Sequence, residues 1–182
     1  MKKLVLIAAL AVATSAAYAQ GLINFSNYVP GSGLTPKIFQ SDGTTPLDGT
    51  YLAQLYAGTS ASSLTPVGTA ATFKTGAGAG YFTGGGVAIP LTVIANPAAG
   101  GVFEVKAWLA TAGTSYEAAL AAGANNTYGA STPFTLASIA TVPAPASNLI
   151  GLTSFNLNGV PEPSTIVLGV LGASLFLLRR RS

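Results

Sequence analysis

Cysteine and histidine are both absent from these 182 residues, and charge is scarce. Without a thiol or an imidazole there is no disulfide, no His-based triad, no thiol nucleophile and no typical zinc site. Charged residues make up 7% of the chain, against 49% hydrophobic ones. A formal charge of +3 and a pI near 9.3, taken alone, suggest nucleic acid as a partner. The excess cations, however, are Lys2, Lys3, Arg179, Arg180 and Arg181, all close to the ends. Between Gln20 and Val160 there remain Lys37, Lys74 and Lys106 against Asp42, Asp48, Glu104 and Glu117, a net of −1. No basic patch is left, and nucleic acid is excluded as a partner.

Few carboxylates also means little acid–base chemistry. A glycosidase sets two carboxyls facing one another across a sugar, and Glu104 with Asp42 or Asp48 is the only pair to nominate. Both aspartates precede glycine in turn sequences, and Glu104 alternates with Lys106, so structural roles are the stronger reading. Asp42-Gly43 and Asp48-Gly49 lack the dense oxygen ligands of a calcium loop. Gly76-Ala77-Gly78-Ala79-Gly80 and Gly84-Gly85-Gly86 have no Lys-Ser/Thr after them, so neither reads as a phosphate cradle. They read as a flexible loop flanking Tyr81-Phe82. No catalytic residue, metal ligand or cofactor is expected, and the protein is not expected to be an enzyme.

What the chain does have is two specialised ends. Met1-Lys2-Lys3 is a basic start, Leu4 to Ala13 an apolar run, and Ala17-Tyr18-Ala19 an A-x-A site. Together they form a secretory signal peptide over residues 1–19, with signal peptidase cutting between Ala19 and Gln20. At the other end Pro161 and Pro163 fix φ and hold Val160 to Thr165 extended. The apolar stretch Ile166 to Leu178 follows, then Arg179, Arg180 and Arg181. Cations in this position resist translocation and mark the cytoplasmic end of a membrane segment. Ile166 to Leu178 spans about 20 Å as a helix, against about 30 Å of hydrocarbon. Including Ser164 and Thr165 gives a segment of about 164–178, and snorkelling arginines close part of the remaining gap. A permanent anchor on a proline-rich stalk is the competing reading, but so short a span, interrupted by Gly169 and Gly172, suits a transient signal better.

This tail resembles the PEP-CTERM sorting signal of Gram-negative bacteria, the family named for the motif at Pro161, Glu162 and Pro163. The resemblance implies recognition and processing by an integral-membrane exosortase. It also implies an exopolysaccharide-producing setting. Residues 160–182 are then the sorting signal and 20–159 an exported domain. The partners expected are signal peptidase, exosortase, the inner membrane (at least transiently) and exopolysaccharide. The expected route runs across the inner membrane, through tethering by the C-terminal helix, to the cell surface or extracellular matrix.

The exported domain, about 140 residues, can bury roughly two-thirds of its unfolded surface. Its apolar pattern has period two. In Val102 to Leu109 one face carries Phe103, Val105, Ala107 and Leu109, and the other Glu104, Lys106 and Trp108. That alternation is a half-buried strand, and Tyr51–Tyr56 reads as a second one. Further strands are expected at Leu22–Tyr28, Pro36–Gln40, Ala71–Thr75, Gly80–Thr83, Val87–Ile94, Pro133–Leu136 and Leu149–Leu157. Only Ser115–Ala122 has helical character, with an alanine run and Gly123 as a stop. The fold class expected is all-β: an antiparallel, jelly-roll-like β-sandwich with one short helix. Asn24-Phe25, Tyr51–Gly58, Lys106-Ala107-Trp108 and Ser115–Ala119 loosely resemble the β-rich bodies that precede such tails.

Trp108 departs from its strand's pattern. Its ring is either covered by another layer, the favoured reading, or free to stack on a sugar with its N–H on a hydroxyl. The function expected is that of an exported, non-catalytic surface or matrix protein. The alternative is a surface-displayed carbohydrate-binding module using Trp108.

Overall fold

A computed structural model describes residues 20–158. The segments expected to be signal peptide, sorting motif, membrane segment and basic tail lie outside the described residues. Within them the chain is mostly β, with two sheets and one short helix, consistent with a β-sandwich. Among the described residues no helix is long and apolar enough to cross a membrane.

Two long strands form the spine. β2 (Tyr51–Gly58) and β5 (Gly101–Leu109) pair antiparallel without a break, from Tyr51 opposite Leu109 to Gly58 opposite Val102. Their alternation puts Ala53, Leu55 and Ala57 with Phe103, Val105 and Ala107 on one buried face. β3 (Thr65–Thr72) adds to the free side of β2. β6 (Tyr128–Ala130) and β7 (Phe134–Leu136) pair in succession along the free side of β5. Between them Ser131 keeps the edge joined: its N–H donates to the Val105 carbonyl at 2.9 Å, and its Oγ accepts from the Val105 N–H at 3.0 Å.

The second sheet has β1 (Gly21–Ser26) in the middle, β4 (Thr83–Ile89) on one side and β8 (Ser147–Asn148) on the other. Ile23 and Phe25 point inward from β1 and pack with Val87, Ile89 and the inner face of the larger sheet. The β1–β8 pair is parallel, which corrects the expectation of a wholly antiparallel arrangement.

A hairpin closes one side of the sandwich. Phe73 bridges Phe82, and the Lys74 N–H donates to the Tyr81 carbonyl at 2.8 Å. The two arms then diverge, β3 into one sheet and β4 into the other. A Cβ on Gly84 would lie 3.2 Å from that of Ala71, and one on Gly68 2.8 Å from a Val87 methyl. Side chains rather than ladder bonds fill this corner. The loop expected at Gly84–Gly86 is therefore corrected: these glycines belong to β4. The register slips between Phe25 and Ser26, and a Cβ on Gly84 would fall 2.4 Å from the Phe25 ring. Glycine lets a bulged strand pass over that ring.

The opposite side is closed by irregular chain. Leu149–Leu157, expected as a strand, instead crosses from β8 to the edge of the larger sheet. Leu149, Leu152 and Leu157 are buried, and Asn156 makes a single parallel bridge with Phe39. Pro36–Gln40 likewise contributes only isolated bridges, from Phe39 to Pro46 and Asn156. The strand expected at Val87–Ile94 stops at Ile89, because Pro90 has no N–H for the ladder. The strand expected at Ala71–Thr75 is the end of the longer β3, and Gly80–Thr83 supplies only the Phe82 bridge before β4 begins.

Helix α1 (Tyr116–Ala122) has its ends where the sequence places them. Ser115 Oγ accepts from the Ala118 N–H at 3.2 Å, and Gly123 turns left-handed at φ 66 to accept the stop.

Candidate functional site

Gln20, the residue expected to follow the signal-peptidase cut, is exposed and directly precedes β1. From there the chain is tied down at once: Gly21 bridges Thr141, and the Leu22 N–H donates to the Ala140 carbonyl at 2.7 Å. Ala19, Pro161, Glu162, Pro163, Arg179, Arg180 and Arg181 lie outside the described residues.

The far end of the body is held by Asn158, which sequence reasoning did not single out. Its backbone N–H donates to the Tyr128 carbonyl at 2.7 Å, and its carbonyl accepts from the Asn126 N–H at 2.8 Å. Its side-chain Oδ1 accepts from the N–H groups of Thr127 (3.2 Å) and Tyr128 (3.1 Å), and its Nδ2 donates to the Ala124 carbonyl at 3.2 Å. The clasp stands three positions before Pro161.

Trp108 is covered. It is 1% exposed and packs with Tyr56, Tyr116 and Ala119 beneath α1. Its Nε1–H donates to the Gly113 carbonyl at 3.0 Å. Neither the ring nor its N–H is open to a ligand, so the suggested contact of Trp108 with a sugar is corrected. The physical reason lies in the helix, whose apolar side supplies the cover that the strand pattern alone cannot show.

The remaining groups on that outer face bind one another. Lys106 Nζ lies 3.5 Å from Glu104 Oε2, and 4.2 and 4.8 Å from the ring centres of Tyr56 and Tyr116. The Tyr56 hydroxyl donates to Glu117 Oε1 at 2.6 Å. Burial, then this hydrogen bond, pushes the Tyr56 phenol well above its ordinary value. Burial and the nearby Glu104 also raise Tyr116. For Glu117 burial acts upward, but hydrogen bonds from Tyr56, its own N–H and Ser115, with the Lys106 charge, outweigh it and hold the carboxyl low.

The two aspartates are turn residues. Asp42 accepts from the N–H groups of Thr44 and Thr45 and from the Thr45 hydroxyl, which lowers its pKa to about 2. Asp48 accepts from the hydroxyl and N–H of Thr50 and is lowered for the same reason. Glu104 is opposite Tyr56 on β5, whereas Asp48 precedes Tyr51, whose partner is Leu109 at the other end of that strand. These carboxyls do not converge on a cleft.

A second aromatic cluster was not anticipated. Tyr28 and Tyr81 have ring centres 4.7 Å apart at 48°, and Lys37 Nζ lies 5.2 Å from the centre of the Tyr81 ring. Tyr28 is 46% exposed. A single buried side chain holds the cluster's backbone. Asn27 is fully buried; its Nδ2 donates to the carbonyls of Pro36 (2.8 Å) and Gly80 (2.9 Å), and its Oδ1 accepts from the Phe82 N–H at 2.7 Å. One amide thus binds next to Lys37 and on both sides of Tyr81, and is itself the neighbour of Tyr28. The one hint in the sequence is that Asn27 sits at the end of the strand expected at Leu22–Tyr28.

No protein-family model, curated protein or solved structure matches this chain.

Proposed function

We propose that this is an exported, non-catalytic protein of the cell surface or extracellular matrix. In this reading exosortase sorts it through its C-terminal tail, and it associates with exopolysaccharide. Signal peptidase releases the start, the 164–178 segment tethers the protein in the inner membrane with Arg179, Arg180 and Arg181 on the cytoplasmic side, and Pro161-Glu162-Pro163 is the motif read. The β body, jelly-roll-like in general plan, is the cargo.

One observation carries the reading most directly. The described body is held at Gly21–Leu22 and at Asn158, next to the two segments assigned to targeting. The non-catalytic part draws support from the carboxylates, which are engaged in turns or with Lys106 and Tyr56.

Fractionation of tail variants tests the sorting. Glu162→Ala should block processing and accumulate as a precursor in the inner membrane, since the apolar segment and the arginines are untouched. Replacing Arg179, Arg180 and Arg181 by serine should weaken membrane retention itself. A plain anchor gives the second effect without the first, and normal surface delivery of Glu162→Ala would sink the role assigned to the motif.

A further inference from the structure

We propose that Tyr28, Tyr81 and Lys37 form a binding site for an acidic saccharide, with Tyr28 as the stacking platform and Lys37 as the partner of the sugar's carboxylate. The proposal gives a site to the matrix association inferred above and rests on that reading for its biological setting.

The body buries its aromatic side chains almost throughout. Phe25, Phe73, Phe82, Phe103 and Trp108 are buried, and among the described aromatic residues Tyr28 stands out at 46% exposure. An exposed aromatic ring suits a sugar because its apolar face meets the C–H face of a pyranose while its hydroxyl remains free for polar contact. Tyr81 packs against it, ring centres 4.7 Å apart and tilted at 48°. Lys37 lies over Tyr81, while Tyr28 keeps nearly half of its surface exposed.

Lys37 is placed and yet not neutralised. Among the described residues the ion pair is that of Lys106 with Glu104, and no carboxylate lies within ion-pair distance of Lys37. A cation resting over a ring is oriented, while its charge stays available to an anion. Platform and cation are separated by no more than the two centre distances end to end, a span that a disaccharide covers. Asn27 fixes the backbone next to all three side chains, so little ordering remains to oppose binding.

The chemistry narrows the ligand. A neutral glycan would use the ring and leave the cation idle. A phosphate polymer draws its affinity from many cations, and this body has a net charge of −1. A uronic acid unit uses both features.

Affinity electrophoresis of the full chain, purified in mild detergent, tests this. Native gels would contain polygalacturonate, its methyl ester or single-stranded DNA. The wild type should be retarded by polygalacturonate, less by the ester and least by DNA. Tyr28→Ala should weaken the polygalacturonate affinity at least tenfold, and Lys37→Gln should abolish the preference for acid over ester. Absence of wild-type retardation would overturn the proposal. So would retention of wild-type affinity and preference in both variants, or equal retardation by DNA, which marks simple ion exchange. Should Tyr28→Ala unfold, the acid-to-ester ratio of Lys37→Gln decides alone. Because binding is read in solution, failure here leaves the sorting of the tail untouched, and failure of sorting leaves the binding result intact.

Discussion

Truncating Trp108 to alanine deletes the largest fully buried side chain among the described residues. It should separate the contribution of the outer cluster from that of the inter-sheet core. The ring fills the space between β5 and α1, against Tyr56, Tyr116 and Ala119. Removing a buried aromatic costs about 3–5 kcal/mol, since neighbours collapse only partly into the cavity. The Nε1–H bond to the Gly113 carbonyl accounts for about 1 kcal/mol of that. Phe103, Val105 and Ala107 lie on the other face and keep their packing, so the sheets should persist while α1 loosens. Urea unfolding followed by far-ultraviolet circular dichroism is the assay, because the variant lacks the chain's one tryptophan. At about 3 °C per kcal/mol for a domain of this size, the melting temperature should fall by roughly 10 °C. Trp108→Phe keeps most of the packing and should lose about 1–2 kcal/mol. A cost below about 1 kcal/mol for the alanine variant, or wild-type fluorescence typical of a hydrated indole, would refute the covered geometry.

Two further outcomes follow from the hydrogen bonding. Asn158→Ala removes three side-chain bonds and should cost about 1–3 kcal/mol; hydrogen exchange should show the Thr127 and Tyr128 amides losing protection, and unchanged protection would end the idea of a clasp. Glu117 has a folded pKa below its ordinary 4.5, so its stabilisation is complete above that value and is lost as pH falls through the lower folded one. Denaturation midpoints taken from pH 6 downward should therefore decline less steeply in Glu117→Gln than in wild type, with Asp42 and Asp48 supplying the slope that remains. An identical acid limb in the two proteins would show that the Tyr56–Glu117 bond does not hold the carboxyl low.

Period two in Val102–Leu109 and Tyr51–Tyr56 was enough to find the spine and its inward face. A strand carries two faces, and only one can meet the opposite sheet. Ser115 and Gly123 marked the ends of α1 for an equally local reason, the capping of orphan backbone groups. Local pattern failed at the edges. Thr65–Ala70 and Tyr128–Ala130 were not read as strands, because their small and polar residues carry little alternation and their pairing depends on β2 and β5 being already in place. Leu149–Leu157 carried strand-like apolar residues but closes the sandwich irregularly, its leucines spent on filling the side rather than on a ladder.

The sequence by itself determined the helix boundaries and the inward face of the spine. Each follows from covalent order and side-chain period alone. Only the tertiary structure decided that Trp108 is roofed over, that Gly84–Gly86 form a strand, and that Asn27 gathers Tyr28, Tyr81 and Lys37. Gly84 is required by the Phe25 ring, more than fifty residues earlier. Tyr28 and Tyr81 meet because Asn27 binds the backbone on both sides of Tyr81. Contacts between residues so distant in the chain form only once the sheets have packed, so no local pattern in either partner announces them.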